Sequence, residues 1–366
     1  MITKKLLLLL MGYLFVSSVG YSQDELTEEE QAYRDSIAAL NEENAAIAKS
    51  QEAYNKGIDL FNKKAFDKAI AEFKTSIKAD PNFTAAYYNK GVAENEANYY
   101  AAAAKTLSQL IAKDDDYSKA YFQRARAYQG VGDYLKAEKD YKKSIELAPK
   151  NPKAHYNFGT LQFMQKNYDA AIASFTKTIE LDGHLAFAYN DRGSCHRMKG
   201  DYKKAISDYE EASKKNPDLA FVLNNIGTTK LKKKDYVGAI AAFNRAISID
   251  KNFHLAYNNR GATQMERDRL DEAISDFEKC IQIKDDYAPA HANIAAAKFR
   301  LEEYKAAKKA ADRAIQLDPE YGSAYVNRGM IKEMLRDMNG ACEDWKKGKE
   351  LGAENASDYY SQSCGY

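Results

Sequence analysis

A row of carboxamide side chains recurs at every 34th position of the sequence. Its members are Asn55, Asn89, Gln123, Asn157, Asp191, Asn225, Asn259, Asn293 and Asn327, so only Asp191 lacks an amide. A carboxamide donates and accepts hydrogen bonds at once, as the backbone of an extended peptide requires of a partner. The row therefore indicates a surface that binds main-chain groups, although asparagine at this position also suits a repeat without a ligand.

A second row, one residue earlier, changes character along the chain. It is aromatic in its first four members and amide in the next three, namely Tyr54, Tyr88, Phe122, Tyr156, Asn190, Asn224 and Asn258. Rings favour apolar and stacking contacts, whereas amides favour hydrogen bonds, so a chain bound here would be read with a fixed polarity. Inheritance from two rounds of repeat duplication accounts for the same change without any ligand.

These rows belong to a repeat that starts at Ser50. The blocks are 50–83, 84–117, 118–151, 152–185, 186–219, 220–253, 254–287, 288–321 and 322–355. Position 20 of every block is alanine, and position 8 is glycine except at Ala125 and Ala295. Glycine inside a helix costs about 1 kcal/mol relative to alanine, so its recurrence indicates a close approach of two helices.

Large residues complete the pattern within each block. Positions 4, 17 and 24 are mostly aromatic, and the spacings 4, 8, 11 and 17, 20, 24, 27 follow the helical period. The prolines lie either at the start of the first helix, as in Pro152 and Pro289, or beyond the second, as in Pro81. Each block is therefore predicted to be two amphipathic helices joined by a short polar turn, which makes the fold all-α.

The pattern of aromatic-4, Gly-8, aromatic-17, Ala-20, aromatic-24 and Pro-32 resembles the tetratricopeptide repeat family over residues 50–355. The resemblance implies a right-handed α-α solenoid of nine helix-turn-helix repeats, with the first helices lining a concave face. In this family, O-linked N-acetylglucosamine transferase and the kinesin light chains use an asparagine ladder on bound peptides. The position-6 row matches that ladder at seven places, and Gln123 and Asp191 depart from it.

The ends of the chain differ from the repeats. Lys4 and Lys5 precede an apolar run and then small residues, so residues 1–22 are predicted to be a cleaved signal peptide, with an uncleaved anchor as the alternative. The expected location is the periplasm, the cell envelope or the exterior. Residues 23–49 are predicted to be an acidic helix that covers the first repeat, and 356–366 to cap the last one.

The cysteines suggest one covalent link. Cys342 and Cys364 are expected to lie side by side on neighbouring helices, where they form either a disulfide bond or two free thiols. Cys195 and Cys280 lie two repeats apart and are expected to be buried packing residues.

No catalytic, cofactor or metal motif stands out, and 54 basic residues balance 53 acidic ones. The sequence thus gives no basic field for nucleic acid, no apolar segment after the signal long enough to span a membrane, and no sign of an enzyme. We expect a non-catalytic scaffold that binds a protein or an extended peptide on the first-helix face, at positions 2, 5, 6, 9, 12 and 13. A structural subunit of an envelope assembly, or an accessory that delivers substrate to a catalytic partner, are the alternatives.

Overall fold

The computed structural model describes residues 27–364, which form nineteen α-helices and no strand. The predicted signal peptide at residues 1–22 lies outside the described residues, as do 23–26 and 365–366. No described helix combines the length and the apolar character that a membrane crossing requires. The all-α prediction is confirmed.

The chain divides after Gly132 into two compact units. In the N-terminal unit, consecutive helices pack against one another in pairs. Its helices are α1 Glu28–Asn62, α2 Phe66–Ala79, α3 Thr84–Glu96, α4 Tyr100–Ile111 and α5 Ser118–Gly130.

The C-terminal unit continues the same alternation of first and second helices. Its helices are α6 Tyr134–Leu147, α7 Pro152–Met164, α8 Tyr168–Leu181, α9 Ala186–Met198, α10 Tyr202–Lys215, α11 Ala220–Lys232, α12 Tyr236–Ile249, α13 His254–Glu266, α14 Leu270–Ile283, α15 Ala288–Arg300, α16 Tyr304–Leu317, α17 Gly322–Met334, α18 Met338–Glu350 and α19 Ala356–Ser363. The first helices begin at position 1 of a block and the second at position 17, as the repeat predicts.

The N-terminal segment departs from its prediction. Helix α1 begins at a capping box between Thr27 and Glu30 and continues through the expected boundary at Ser50 into the first helix of repeat 1. Nothing between Leu40 and Ser50 is glycine or proline, so no residue ends the helix. Tyr33, Leu40 and Ile47 remain about half exposed, at 54%, 48% and 49%. The segment therefore extends the first helix instead of covering it.

The residues at positions 8 and 24 are complementary in volume. A Cβ added at Gly227 would lie 2.5 Å from the buried Phe243 ring, and one at Gly329 would collide with the Trp345 ring. The large position-24 side chain of the second helix thus occupies the space that a Cβ at position 8 of the first helix would fill. In repeat 8 both residues are alanine, Ala295 and Ala311 being fully buried. The sequence predicted the close approach correctly, but the obstruction comes mainly from position 24.

The turn within each repeat places position 15 in the left-handed region. Every repeat shows it, at Lys64, Asn98, Gly132, Lys166, Gly200, Lys234, Asp268, Glu302 and Arg336, with φ between 58° and 81°. L-residues pay a steric penalty there, which glycine avoids. Since seven of these nine residues are not glycine, the turn holds strain that the packing of the two helices offsets.

Buried ion pairs join the two helices of alternate repeats in the C-terminal unit. Arg192, Arg260 and Arg328, all at position 7, pair with the position-23 aspartates Asp208, Asp276 and Asp344 at 2.7, 2.5 and 2.6 Å. The hydrogen bond from each guanidinium to its aspartate raises the arginine pKa. The intervening repeats 6 and 8 carry isoleucine at position 7 and alanine at position 23. The structural period is therefore two repeats.

The last helix closes the end of the array. Ala356 of α19 is fully buried, and the Tyr359 ring stacks on Trp345 with centroids 5.5 Å apart. A disulfide bond joins Cys342 of α18 to Cys364, whose Cα atoms are 5.7 Å apart. Cys195 and Cys280 are free and buried.

Candidate functional site

The position-6 amides bond to position 5 of the preceding repeat. In each pair the Nδ2 of one asparagine lies 2.9 Å from its acceptor, and the pairs are Asn89 to Tyr54, Asn225 to Asn190, Asn259 to Asn224 and Asn293 to Asn258. One of these pairs lies in the N-terminal unit and three lie in the C-terminal unit, and each pair links two successive first helices. An Nδ2 carries two hydrogens. Asn89 uses its second one on Ala85 O at 3.0 Å, whereas Asn225, Asn259 and Asn293 each keep one N–H after this bond.

The position-5 amides are the buried acceptors of the bonds between repeats. Asn190, Asn224 and Asn258 are 7%, 8% and 7% exposed, and each offers its carboxamide oxygen to the next repeat. A buried amide without a partner costs about 1–3 kcal/mol, so these bonds hold the helices in register. These three amides are consequently internal parts of the scaffold, and the surface of this face belongs to position 6.

The remaining position-6 residues find other partners. Asn157 donates to Lys153 O of its own helix at 2.9 Å. Asn327 donates to Ala292 O at 3.3 Å, and the exposed Asn55 accepts from Gln51 at 2.9 Å.

Gln123 is buried inside the N-terminal unit. Its Oε1 accepts from Asn95 at 3.2 Å and from Arg126 at 3.1 Å. Gln123 departs from the asparagine ladder, and its side-chain oxygen thus already accepts hydrogen bonds from two residues of the protein.

The position-5 aromatic side chains are half-buried and pack on neighbouring rings. Tyr54 contacts Phe83 with centroids 4.9 Å apart. Tyr88 contacts Tyr117 at 5.5 Å.

The other two members of this group lie in different units. Phe122 is half-buried on α5. Tyr156 on α7 contacts Phe175 at 5.7 Å. The position-5 rings are therefore only partly exposed on the first-helix face and do not offer a free stacking surface.

Asp191 reverses the hydrogen bonding of the row. Its Oδ2 accepts from the Tyr156 hydroxyl at 2.6 Å, and its Oδ1 accepts from Asn190 Nδ2 at 2.9 Å. Burial raises the pKa of Asp191, while these two donors act in the opposite direction. Burial, together with the nearby Asp191 charge, also raises the pKa of Tyr156. The site holds a half-buried carboxylate where other repeats hold an amide.

A cavity of about 140 Å³ opens beside this carboxylate. It is lined by Thr160 and Phe163 of α7, Phe175 of α8, and Asp191 and Ser194 of α9. Its walls combine two rings with two hydroxyls and one carboxylate. Positions 9 and 12 supply Thr160, Ser194 and Phe163, so the predicted face contains the cavity.

Apolar groups flank the same face. The Phe187 and Phe221 rings, both at position 2, stack with centroids 5.9 Å apart, and Phe187 is 47% exposed. Met164 and Met198, at position 13, are 48% and 50% exposed. Exposed side chains of this kind on one face are typical of a surface that meets another protein.

Known proteins agree with this architecture. Tetratricopeptide repeat models match residues 54–118, 116–183, 186–219, 222–253, 254–287 and 288–321. The chain belongs to the tetratricopeptide repeat family. Tetratricopeptide proteins are typically scaffolds for protein–protein interaction and generally not catalysts, and the matching models indicate no catalytic family. Among curated protein sequences, none matches this chain significantly.

Solved tetratricopeptide structures resemble the chain in fold. A tetratricopeptide repeat protein from Parabacteroides merdae is 20% identical with a TM-score of 0.58, covering 67% of this chain and 98% of that one. The APC/C hetero-tetramer Cut9–Hcn1 gives 18% identity and 0.53, with 84% and 60% covered. The C-terminal part of a repeat protein from Cytophaga hutchinsonii gives 22% and 0.53, with 66% and 98% covered. At these identities the likeness concerns the fold alone.

Sequence reasoning missed two features of the tetratricopeptide array. Pairs such as Arg260–Asp276 recur in every second repeat. The 34-residue pattern therefore does not reveal them, although the arginines spaced by two repeats are present in the sequence. The cavity beside Asp191 depends on small residues at position 9, Thr160 and Ser194, next to one another in space. The sequence gives the sizes of these two residues, but only the packing of α7 and α9 shows that they are neighbours.

Proposed function

We propose that the first-helix face binds an extended segment of a partner protein. The observation that carries this proposal is the set of bonds between successive repeats, such as Asn225 to Asn190. Each bond fixes the rotamer of a position-6 amide. At Asn225 and Asn293 one N–H and the carboxamide oxygen stay available, and at Asn259 one N–H does, because its oxygen accepts from Asn258 at 3.4 Å. A fixed amide loses little side-chain entropy when it meets a peptide backbone, so binding is pre-organised.

The flanks of the face supply contacts for side chains. Phe187 and Met198 are each about half exposed, and both lie on α9. Burying such groups contributes roughly 25 cal/mol per Å² of apolar area removed from water. A bound segment would therefore gain affinity from its apolar side chains and its orientation from the amide row.

The bonding between repeats decides how the proposal is tested. Alanine at Asn225 or Asn259 would remove bonds between helices as well as ligand contacts, so a loss of binding there has two causes. Within the part of the chain that the structure describes, Asn157 bonds to Lys153 of its own helix, and Phe187 is 47% exposed. The Asn157→Ala and Phe187→Ala double variant therefore perturbs the face with less effect on the fold.

Peptides selected from a random library on the wild-type protein provide the ligand. The double variant should bind them at least about tenfold more weakly, which corresponds to ~1.4 kcal/mol. The matched control is Val237→Ala on the second helix α12, where the valine is 71% exposed, and its affinity should change less than about twofold. Assembly through the second helices predicts the reverse pattern, and that result would refute the proposal.

We also propose that the protein is exported and works in the periplasm, the cell envelope or outside the cell. Lys4 and Lys5 before an apolar run support this, and so does the Cys342–Cys364 bond, because disulfides persist in oxidising compartments. N-terminal sequencing of the protein from its native cells should give a mature chain that starts at Tyr21 or Gln23. A chain that retains Lys4 and Lys5 would contradict cleavage.

A further inference from the structure

The cavity beside Asp191 has the composition of a cation subsite. Within the described residues, the hydrogen-bond partners of Asp191 are Tyr156 and Asn190, and both are uncharged. The arginines on the same helix are directed elsewhere, since Arg192 pairs with Asp208 and Arg197 lies beside the Tyr209 hydroxyl. The carboxylate thus faces the cavity without a cation to balance it.

The chemistry of the walls selects among cations. An ammonium group has three donors, and the cavity offers the Asp191 carboxylate and the hydroxyls of Thr160 and Ser194 as acceptors. Phe163 and Phe175 line the remainder, which suits a methylene chain and attracts a positive charge to the ring faces. A primary ammonium at the end of an apolar stem matches every part of this lining.

The volume fits the same group. A cavity of about 150 Å³ in another protein holds one benzene molecule, so about 140 Å³ accommodates a stem of similar size. The butylammonium side chain of lysine falls within this range.

From these observations we infer that the cavity is a subsite for a lysine side chain of the bound segment. This inference rests on the proposed function, because it places one residue of the partner on the first-helix face. It also gives a reason for the one carboxylate in the position-6 row. The amides hold the backbone of the partner, and Asp191 reads one of its side chains.

The test uses two small probes and a signal inside the cavity. N-acetyl-lysine methylamide is titrated into the full chain while the threonine methyl resonances are followed by NMR, with Thr160 assigned from Thr160→Ser. The second probe is the norleucine analogue, which has the same stem without the charge. The lysine compound should shift the Thr160 methyl saturably, and the norleucine compound should bind at least about tenfold more weakly.

Asp191→Asn removes the charge and should weaken the lysine compound by at least about tenfold. The fold should persist, because an amide at this position can donate to Tyr156 as Asn89 donates to Tyr54 at 2.9 Å. The matched control is Glu210→Gln on α10, an exposed carboxylate outside the cavity, and it should leave the titration unchanged.

Three results would overturn the inference: equal binding of the two probes, unchanged lysine binding in Asp191→Asn, or no shift of Thr160 with either probe. The comparison of probes uses the wild-type chain, so it decides the question even if the variant unfolds. Failure here leaves the peptide affinities of Asn157→Ala with Phe187→Ala untouched. Lysine binding without any peptide binding would instead separate the subsite from the proposed function.

Discussion

The Nδ2 of Asn225 on α11 lies 2.9 Å from the carboxamide oxygen of Asn190 on α9. This bond joins two first helices across one repeat, and its acceptor is only 7% exposed. The same arrangement recurs from Asn259 to Asn224. The amide row therefore has a structural role in addition to any ligand that it meets.

Asn225→Ala should lower the free energy of unfolding by about 1–2 kcal/mol, because the buried Asn190 loses its donor. Asn157→Ala should cost less than about 0.5 kcal/mol, since the bond of that amide among the described residues lies within its own helix. Urea unfolding followed by circular dichroism measures both variants. Equal losses would show that the bond between repeats contributes nothing.

The Arg260–Asp276 pair gives a second prediction. Arg260→Ile alone should destabilise the protein by about 3 kcal/mol, because Asp276 would stay buried without its partner. Adding Asp276→Ala copies Ile226 and Ala242 of the preceding repeat and should restore stability to within about 1 kcal/mol of wild type. The two variants are compared by urea unfolding, and a double variant no better than the single one would contradict this account.

The turns give a third prediction. Lys234 has φ of 62°, so Lys234→Gly should stabilise the protein by about 0.5–1 kcal/mol. The converse change, Gly200→Ala at φ of 81°, should destabilise it by a similar amount, since a Cβ there meets no neighbouring atom and only the backbone is strained. Midpoints of thermal unfolding that move in the same direction for both variants would disprove the strain argument.

Asp191 makes stability depend on pH. Burial raises its folded-state pKa above the ordinary 3.8, so its contribution is fully present below the unfolded-state pKa and is lost as pH rises through the folded-state pKa. Tyr156 and Asn190, which bond to it, stay uncharged over this range. The stability of Asp191→Asn relative to wild type should therefore increase from pH 3 to pH 7.

Urea midpoints at several pH values measure this difference. Glu210→Gln serves as the control, because its exposed carboxylate should give a nearly constant difference. A difference for Asp191→Asn that is equally flat would show that burial of the carboxylate has no energetic effect.

Much of the fold could be predicted from the sequence because it is local. Helix starts at positions 1 and 17 follow from the aromatic, glycine and alanine spacing, and the close approach at Gly227 follows from the cost of glycine in a helix. The continuity of α1 through Ser50 was missed because the repeat frame marks a boundary where no residue breaks the helix. The spacing of the repeat thus shows where a repeat begins, but it does not show where a helix begins or ends.

The site was predictable in its location but not in its bonds. Asn225 and Asn190 differ by 35 residues, and only the packing of α9 against α11 makes them partners. The left-handed turn at Lys234 carries no sequence signal, since lysine is not the usual residue there. Asp191 was identified as a departure from the amide row, but its cavity depends on how α7 and α9 pack.

The most direct measurement is the position of a bound peptide. A library-selected peptide carrying a photoreactive residue is cross-linked to the wild-type protein, and mass spectrometry locates the attachment sites. We predict cross-links on the first helices α7, α9, α11 and α13, at positions 2, 6, 9 and 13. Cross-links concentrated on the second helices α8, α10 and α12 would contradict the central claim that the first-helix face is the binding surface.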